Sequence, residues 1–352
     1  VVAGLLVVLL VAVYLTTMRI SGVNTSTRFR VVGTVLVKDG KRFIVRGSTI
    51  YVLPFYTDGA SADPTLAMYT KQNYADRVEI FTRMHQDGVN TVRIPVSVTG
   101  YRTNVYHQGG EKGYLRRLAA VVRSAQQENL LVIVGWWTST GQSSAFQGAA
   151  EDDLAMDAAV YRALAPDPGV IYEPYNEPPL SSWRSWERLM VQTVHDWRDI
   201  IGFRGVLLLD TIGFSWEFSA FYASKVLRSA RSVGASPNVL FANHRYPNGA
   251  RSFDGSARLS WLAQIGAESS HFPILGGEYG VYDGDGPVDI DWMRSFLASV
   301  ATTVPAGFNG AVTFVWNWVD QNTLTDGPLR LSAYGRLVEV GLWRSAAFGG
   351  RS

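Results

Sequence analysis

The chain has 352 residues, 47% hydrophobic and 18% charged, with 32 Lys and Arg against 30 Asp and Glu. Such a composition supports a large buried core and excludes a disordered chain, and the near-neutral balance without a basic block excludes an electrostatic nucleic-acid binder. The absence of cysteine excludes disulfides and thiolate metal sites. The five histidines show no HExxH or similar ligand spacing, and there is no Walker loop, strand-to-helix GxGxxG or GxSxG, so neither metal nor organic cofactor is expected.

Taken in chain order, residues 1–18, VVAGLLVVLLVAVYLTTM, carry no charge before Arg19. That length is the lower limit for a membrane-spanning helix, and the segment has neither the short apolar region nor the small-residue cleavage site of a secretory signal. We expect a transmembrane anchor over 1–19, with an uncleaved signal peptide or a buried helix as the other readings. Residues 20–32 are rich in Ser, Thr and Arg and read as a linker; Asn24-Thr25-Ser26 within them matches a glycosylation sequon. Residues 33–352 are then expected to form one catalytic domain. Length alone suggests two domains, but α/β barrels use this much chain as one.

The domain opens with two alternating runs around Asp39-Gly40, a type I′ hairpin signal. Eight short apolar runs follow: 43–52, 89–96, 130–137, 169–175, 205–212, 238–244, 272–279 and 311–318. Between and after them lie stretches of helical spacing: 73–87, 114–128, 151–165, 182–201, 217–232, 256–268, 288–303 and part of 328–345, with Ser181 or Ser182 as a helix N-cap. Strands alternating with helices imply a parallel sheet covered on its outside. Eight such units predict an α/β fold, a (β/α)8 TIM barrel preceded by the transmembrane helix. A doubly wound open sheet is the alternative.

A barrel of this kind builds its active site at the C-terminal ends of its strands. The second run ends near Arg93, the third in Trp136-Trp137, and the fourth in Asn176-Glu177 followed by Pro178-Pro179. The sixth ends in His244 and Tyr246, the seventh in Glu278, and the eighth in Trp316 and Trp318. Glu177 and Glu278 stand across the barrel mouth from each other. Paired carboxylates are what glycoside hydrolysis needs: one protonates the leaving oxygen, while the other attacks the anomeric carbon or activates water. Arg93 and His244 are placed to keep one carboxylate ionised, and burial against aromatics to keep the other protonated. Glu173, Asp210 and Asp320 also lie at or near strand ends, but no motif accompanies them and they read as structural or substrate-positioning.

These residues carry a resemblance. Asn176-Glu177-Pro178, Gly276-Gly277-Glu278-Tyr279-Gly280, Arg93 in VRIPV, His244 and Tyr246 in NHRYP, Trp316 in FVWNW and the opening LVKDGKRFIVRG occur in the order seen in glycoside hydrolase family 5, the cellulase family. The chain resembles that family over about residues 33–345. The resemblance implies Glu177 as general acid/base, Glu278 as nucleophile and Arg93 as the arginine that orients it. It also implies Asn176 as the partner of the sugar 2-hydroxyl, His244 and Tyr246 as the His-x-Tyr pair, and Trp316 as the platform under the sugar. The family usually has a histidine at the end of the third strand; here the residues are Gly135-Trp136-Trp137-Thr138. Trp136 and Trp137 are therefore expected to stack on a sugar.

The expected activity is retaining hydrolysis of a β-linked polysaccharide, cellulose-like β-glucan first. The expected localisation is outside the cytoplasm on the membrane anchor, or secreted. A transglycosylase on the same residues, or a glycan-binding barrel in a cell-wall or polysaccharide-export assembly, remains the alternative.

Overall fold

Each apolar run becomes a strand, in most cases shorter than the run itself. The computed structural model describes residues 28–50, 74–97, 101, 110–137, 150–164, 169–178, 180–234, 237–247, 263–281, 289–304, 307–314, 316, 324–325 and 330–348. The expected anchor, residues 1–19, lies outside the described residues; among those described, no helix is long and apolar enough to cross a membrane.

Three short strands come first: β1 (Phe29–Val32), β2 (Val35–Lys38) and β3 (Lys41–Arg42), paired antiparallel. The stretch read as a linker to residue 32 thus ends in a strand, because Phe29 and Val31 alternate with exposed neighbours and are buried. Asp39 and Gly40 join β2 to β3 with φ of 51° and 79°, the two left-handed residues that a type I′ turn requires.

Eight strands then close into a parallel barrel: β4 (Val45–Thr49), β5 (Thr91–Ser97), β6 (Leu131–Trp137), β7 (Val170–Glu173), β8 (Leu207–Asp210), β9 (Val239–Arg245), β10 (Ile274–Tyr279) and β11 (Gly310–Thr313). β11 pairs with β4, so the sheet has no free edge. The open-sheet alternative is thereby excluded. Helices follow the strands in turn: α1 (Tyr74–Gln86), α2 (Gly110–Gln127), α3 (Ala150–Ala163), α4 (Trp183–His195), α5 (Ala220–Ser232), α6 (263–269), α7 (Ile290–Thr303) and α8 (Ala333–Val338). Ser182 is the N-cap of α4. Both α4 and α8 continue through a wider π turn, Asp196–Ile200 and Glu339–Trp343.

Side chains alternate across each strand, and this divides the core in two. Val132 and Val134, Leu207 and Leu209, and Val239 and Phe241 face outward to the helices. Leu131, Ile133, Ile171, Leu208, Leu240, Leu275 and Val312 fill the barrel interior, where Phe29, Val31 and Leu36 of the hairpin sheet pack against them. The hairpin therefore plugs the end of the barrel where the strands begin. Each interior aliphatic side chain contributes roughly 1.5–3 kcal/mol by leaving water.

Two buried asparagines bolt the plug in place. Asn309 accepts from Leu36 N at 2.7 Å and donates to Thr34 O at 2.9 Å and Ile274 O at 3.1 Å. Asn238 accepts from Val31 N at 2.9 Å and donates to Arg204 O at 2.8 Å. Each thus ties the hairpin backbone to backbone elsewhere in the chain.

Candidate active site

Following the same alternation upward, the barrel interior turns from apolar to polar within two residues on three of the strands. On β7, Ile171 is succeeded on the inner face by Glu173; on β8, Leu208 by Asp210; on β9, Ala242 by His244. Arg93 enters from β5. All four side chains are fully buried. Glycine makes room for two of them. A Cβ on Gly135 would overlap Glu173 Oε2, and one on Gly277 would lie 2.7 Å from His244 Nε2.

Arg93 organises the cluster. Its Nε donates to Glu173 Oε2 at 2.7 Å and its Nη2 to Glu173 Oε1 at 2.9 Å, a two-pronged pair. Nη1 donates to Glu278 Oε2 at 2.5 Å and Nη2 to Asn176 Oδ1 at 2.5 Å. A buried guanidinium is tolerable only when so completely paired. Burial opposes its charge, but the carboxylates of Glu173 and then Glu278 outweigh that and hold Arg93 firmly protonated. The Trp137 ring lies against it, 5.1 Å from the guanidinium carbon.

Strand β7 ends at Glu173, so Asn176 and Glu177 lie beyond the strand in a bend rather than at its end. Asn176 N donates to Trp136 O at 2.8 Å, anchoring this bend to β6. Glu177 has φ of 47°, a left-handed conformation that costs a non-glycine residue on the order of 1–2 kcal/mol. Two bonds hold it there. Its N–H donates to Asp210 Oδ2 at 2.7 Å, and its Oε1 meets His244 Nδ1 at 2.8 Å. His244 Nε2 in turn faces Asp210 Oδ2 at 3.4 Å.

The two proposed catalytic carboxyls sit in different environments. Glu278 is nearly enclosed, between Arg93 and the hydroxyl of Tyr246, which donates to Oε1. Glu177 keeps 23% of its side chain open to solvent. One oxygen of Glu177, one ring nitrogen of His244 and one oxygen of Glu278 lie within 4.8 Å of one another. A second group, Glu173, Asp210 and His244, is equally close. Both groups have the donors of a metal site, yet the cation already set among their carboxylates is Arg93.

Charge states follow from burial and neighbours. Burial pushes Glu278 up, against the pull of Arg93 and His244. Burial lowers His244 to about 4, so its imidazole is neutral at neutral pH. Asp210 is pushed well above the usual carboxylate range by burial, then by the charge of Glu173. Asp210 Oδ1 is buried and has no hydrogen-bond partner. Arg93 is therefore cationic, while Asp210 and His244 are neutral.

Of the expected site residues, the structure brings together Arg93, Asn176, Glu177, His244, Tyr246 and Glu278, with Trp137 against the arginine. Two tryptophans lie elsewhere. Trp136 points outward: it is 3% exposed and its Nε1 donates to Asp157 on α3. The inner face of β6 carries Leu131, Ile133, Gly135 and Trp137, so adjacent Trp136 must face the helices. Trp316 is fully buried and packs on Trp343 at 5.6 Å, so it offers no surface to a sugar in this structure. Phe314 stands at the mouth instead, stacked with Trp137 at 6.2 Å and 13° between planes. Trp318 and Asp320 lie outside the described residues. Glu173 and Asp210 belong to the site although no motif marked them; the signal was inward alternation onto the level of Arg93.

Solved structures with the same fold include an endoglucanase catalytic domain from Thermobifida fusca in complex with cellotetraose, at 20% identity over 90% of this chain and 97% of that one, TM-score 0.63. A mannotriose complex of a β-mannanase from Thermomonospora fusca shares 19% identity over 93% and 98% of the two chains, TM-score 0.63. A β-glucanase from Saccharophagus degradans in complex with cellotetraose shares 19% over 90% and 92%, TM-score 0.65. At these identities the likeness is one of fold. No curated protein matches the chain. The family model described as cellulase, glycosyl hydrolase family 5, matches residues 55–322. With that match over most of its length, the chain belongs to glycosyl hydrolase family 5, the cellulase family.

Proposed function

We propose that the chain is a retaining glycosidase that cleaves β-glycosidic bonds in a polysaccharide, with Glu278 as nucleophile and Glu177 as acid/base. One observation carries the reading: oxygens of Glu177 and Glu278 within 4.8 Å of each other. Retaining enzymes hold their carboxyls about 5–5.5 Å apart, whereas inverting enzymes leave about 6.5–9.5 Å for a water between them.

In the first step Glu278, aimed by Arg93 and Tyr246, attacks the anomeric carbon. Glu177 gives its proton to the leaving oxygen. In the second, Glu177 takes a proton from the water that hydrolyses the glycosyl-enzyme. Asn176 uses its oxygen on Arg93, which leaves its amide N–H groups for a sugar hydroxyl. Trp137, only partly buried, supplies aromatic surface at the mouth. A β-glucan is the first substrate to test and a β-mannan the second, since solved structures of this fold hold cellotetraose and mannotriose. The apolar segment 1–19 would keep the domain on the membrane outside the cytoplasm, where such polymers lie. Loss of membrane association when that segment is removed is the result expected.

The test is hydrolysis of aryl β-glycosides, β-glucans and β-mannans by the full chain beside Glu278→Gln. The parent is expected to act on at least one substrate, and the variant to lose about four orders of magnitude or more. Equal activity in the two would overturn the assignment. Glycan binding without turnover by the folded parent would favour a binding barrel. Glycosyl transfer to a sugar in preference to water would favour a transglycosylase.

A further inference from the structure

The mechanism uses Glu177, Glu278 and the groups that touch them, but not Asp210. This residue is fully buried at the inner end of β8, where an acid is costly unless it has work to do. Three contacts surround it. Oδ2 accepts the N–H of Glu177 at 2.7 Å. The same oxygen faces His244 Nε2 at 3.4 Å, and the other nitrogen of that ring bonds Glu177 Oε1 at 2.8 Å. One oxygen of the acid also lies within 4.8 Å of one of Glu173, whose two oxygens are taken by Arg93. Asp210 thus touches Glu177 at its backbone directly and at its carboxyl through one imidazole. The residue so held has φ of 47°, a conformation that relaxes unless its surroundings fix it.

Resting on the proposed function, we infer that Asp210 is a positioning residue for the acid/base: its Oδ2 fixes the left-handed backbone of Glu177 and backs the imidazole that aims the Glu177 carboxyl. Its neighbours define what the side chain must provide. Arg93 already neutralises Glu173, and His244 is neutral, so a second buried anion has no partner at this level of the barrel. Asp210 acts here as a neutral acid whose Oδ2 accepts the Glu177 N–H. Asparagine has the same shape and an uncharged oxygen that can accept from the same N–H. Alanine has neither. Serine keeps a polar group too short to reach the Glu177 amide.

Loss of a correctly placed general acid costs typically 10²–10⁴-fold, and the loss concentrates on substrates whose leaving group needs the proton. The experiment measures kcat/KM for aryl β-glycosides running from dinitrophenyl to alkylphenyl leaving groups, in the full chain and in Asp210→Asn, Asp210→Ala and Asp210→Ser. Thermal melting of each variant is followed alongside. The expected result for Asp210→Ala and Asp210→Ser is a loss of about 10–100-fold on the poorest leaving groups and under about threefold on the best, with Asp210→Asn within about threefold of the parent throughout. The serine variant keeps the test open if the alanine variant does not fold. The same loss on every leaving group would overturn the inference, as would full activity in the alanine and serine variants, or an asparagine variant as damaged as they are. Glu177→Gln is run in parallel. If that variant shows no leaving-group dependence, the acid/base assignment fails, and the failure is distinguishable from a failure of Asp210.

Discussion

The two ends of this barrel are made by the same alternating strands and are opposite in character. Where the strands begin, Leu131, Ile133, Leu208, Leu240 and the hairpin residues Phe29, Val31 and Leu36 form a dry, nonpolar plug. One or two residue steps further along, the inner face presents Arg93, Glu173, Asp210 and His244, all without solvent exposure. The plug is the stabilising end: burial of aliphatic surface is favourable and indifferent to detail. The mouth is the costly end. It removes charged and polar groups from water and returns only part of that cost through paired geometry. What separates them is tolerance. The plug accepts changes of shape and loses stability by degrees, whereas the mouth requires each partner to be present at its distance.

That contrast can be broken from either side, and the largest effect is expected in the plug. Leu208→Ala removes interior aliphatic atoms and should lower unfolding free energy by about 2–5 kcal/mol. Its kcat, measured at a temperature where the variant is folded, should stay within about twofold of the parent, since turnover reports the mouth. A large drop in kcat at full folding would show that the two ends are not separable. Gly135→Ala is the converse. Its methyl would overlap Glu173 Oε2, displacing the carboxylate that holds Arg93 and, through it, Glu278. A misplacement near 1 Å costs on the order of 10²-fold, so kcat should fall about that far while the melting temperature changes less than in Leu208→Ala. An unchanged kcat would mean that Glu173 does not position the arginine.

The smallest effect is one of pH. Burial raises the pKa of Glu278, and a nucleophile must be ionised. Activity is therefore full above that raised pKa and is lost as pH falls through it, higher than an ordinary glutamate would set the limb. Tyr246 donates to the ionised form, so Tyr246→Phe should move the acid limb of kcat/KM further up. A limb that stays in place, or moves down, would contradict the part given to Tyr246.

Much of this was legible in the sequence, for reasons that differ by residue. The eight strands were readable because apolar runs of Val, Ile and Leu have few other uses at that spacing. The meeting of Glu177 and Glu278 was readable because the proposed chemistry fixes residue type, and the flanking Asn176, Pro178, Gly276 and Gly277 mark the turn and the open strand around them. Glu173 and Asp210 carry no such mark, although period two alone puts 171 and 173, or 208 and 210, on one face. The same rule parts Trp136 from Trp137. Trp316 was beyond its reach. Strand β11 ends at Thr313, alternation lapses there, and the side chain is claimed by Trp343 from the end of the chain. That contact between distant segments has no local signal. Glu177 itself departs from the strand-end reading, since its left-handed φ depends on acceptors from β8 and β9 that only the closed barrel assembles.

The central claim is double displacement by Glu278 and Glu177, and the stereochemistry of the first product tests it most directly. Proton NMR of the reducing end released from the substrate that the parent hydrolyses, recorded in the first minutes before mutarotation, distinguishes the anomers. The account predicts the β-anomer first, with the α-anomer growing in only at the rate of mutarotation. An α-anomer as the first product would mean inversion, which needs a water between the two carboxyls, and would contradict the claim.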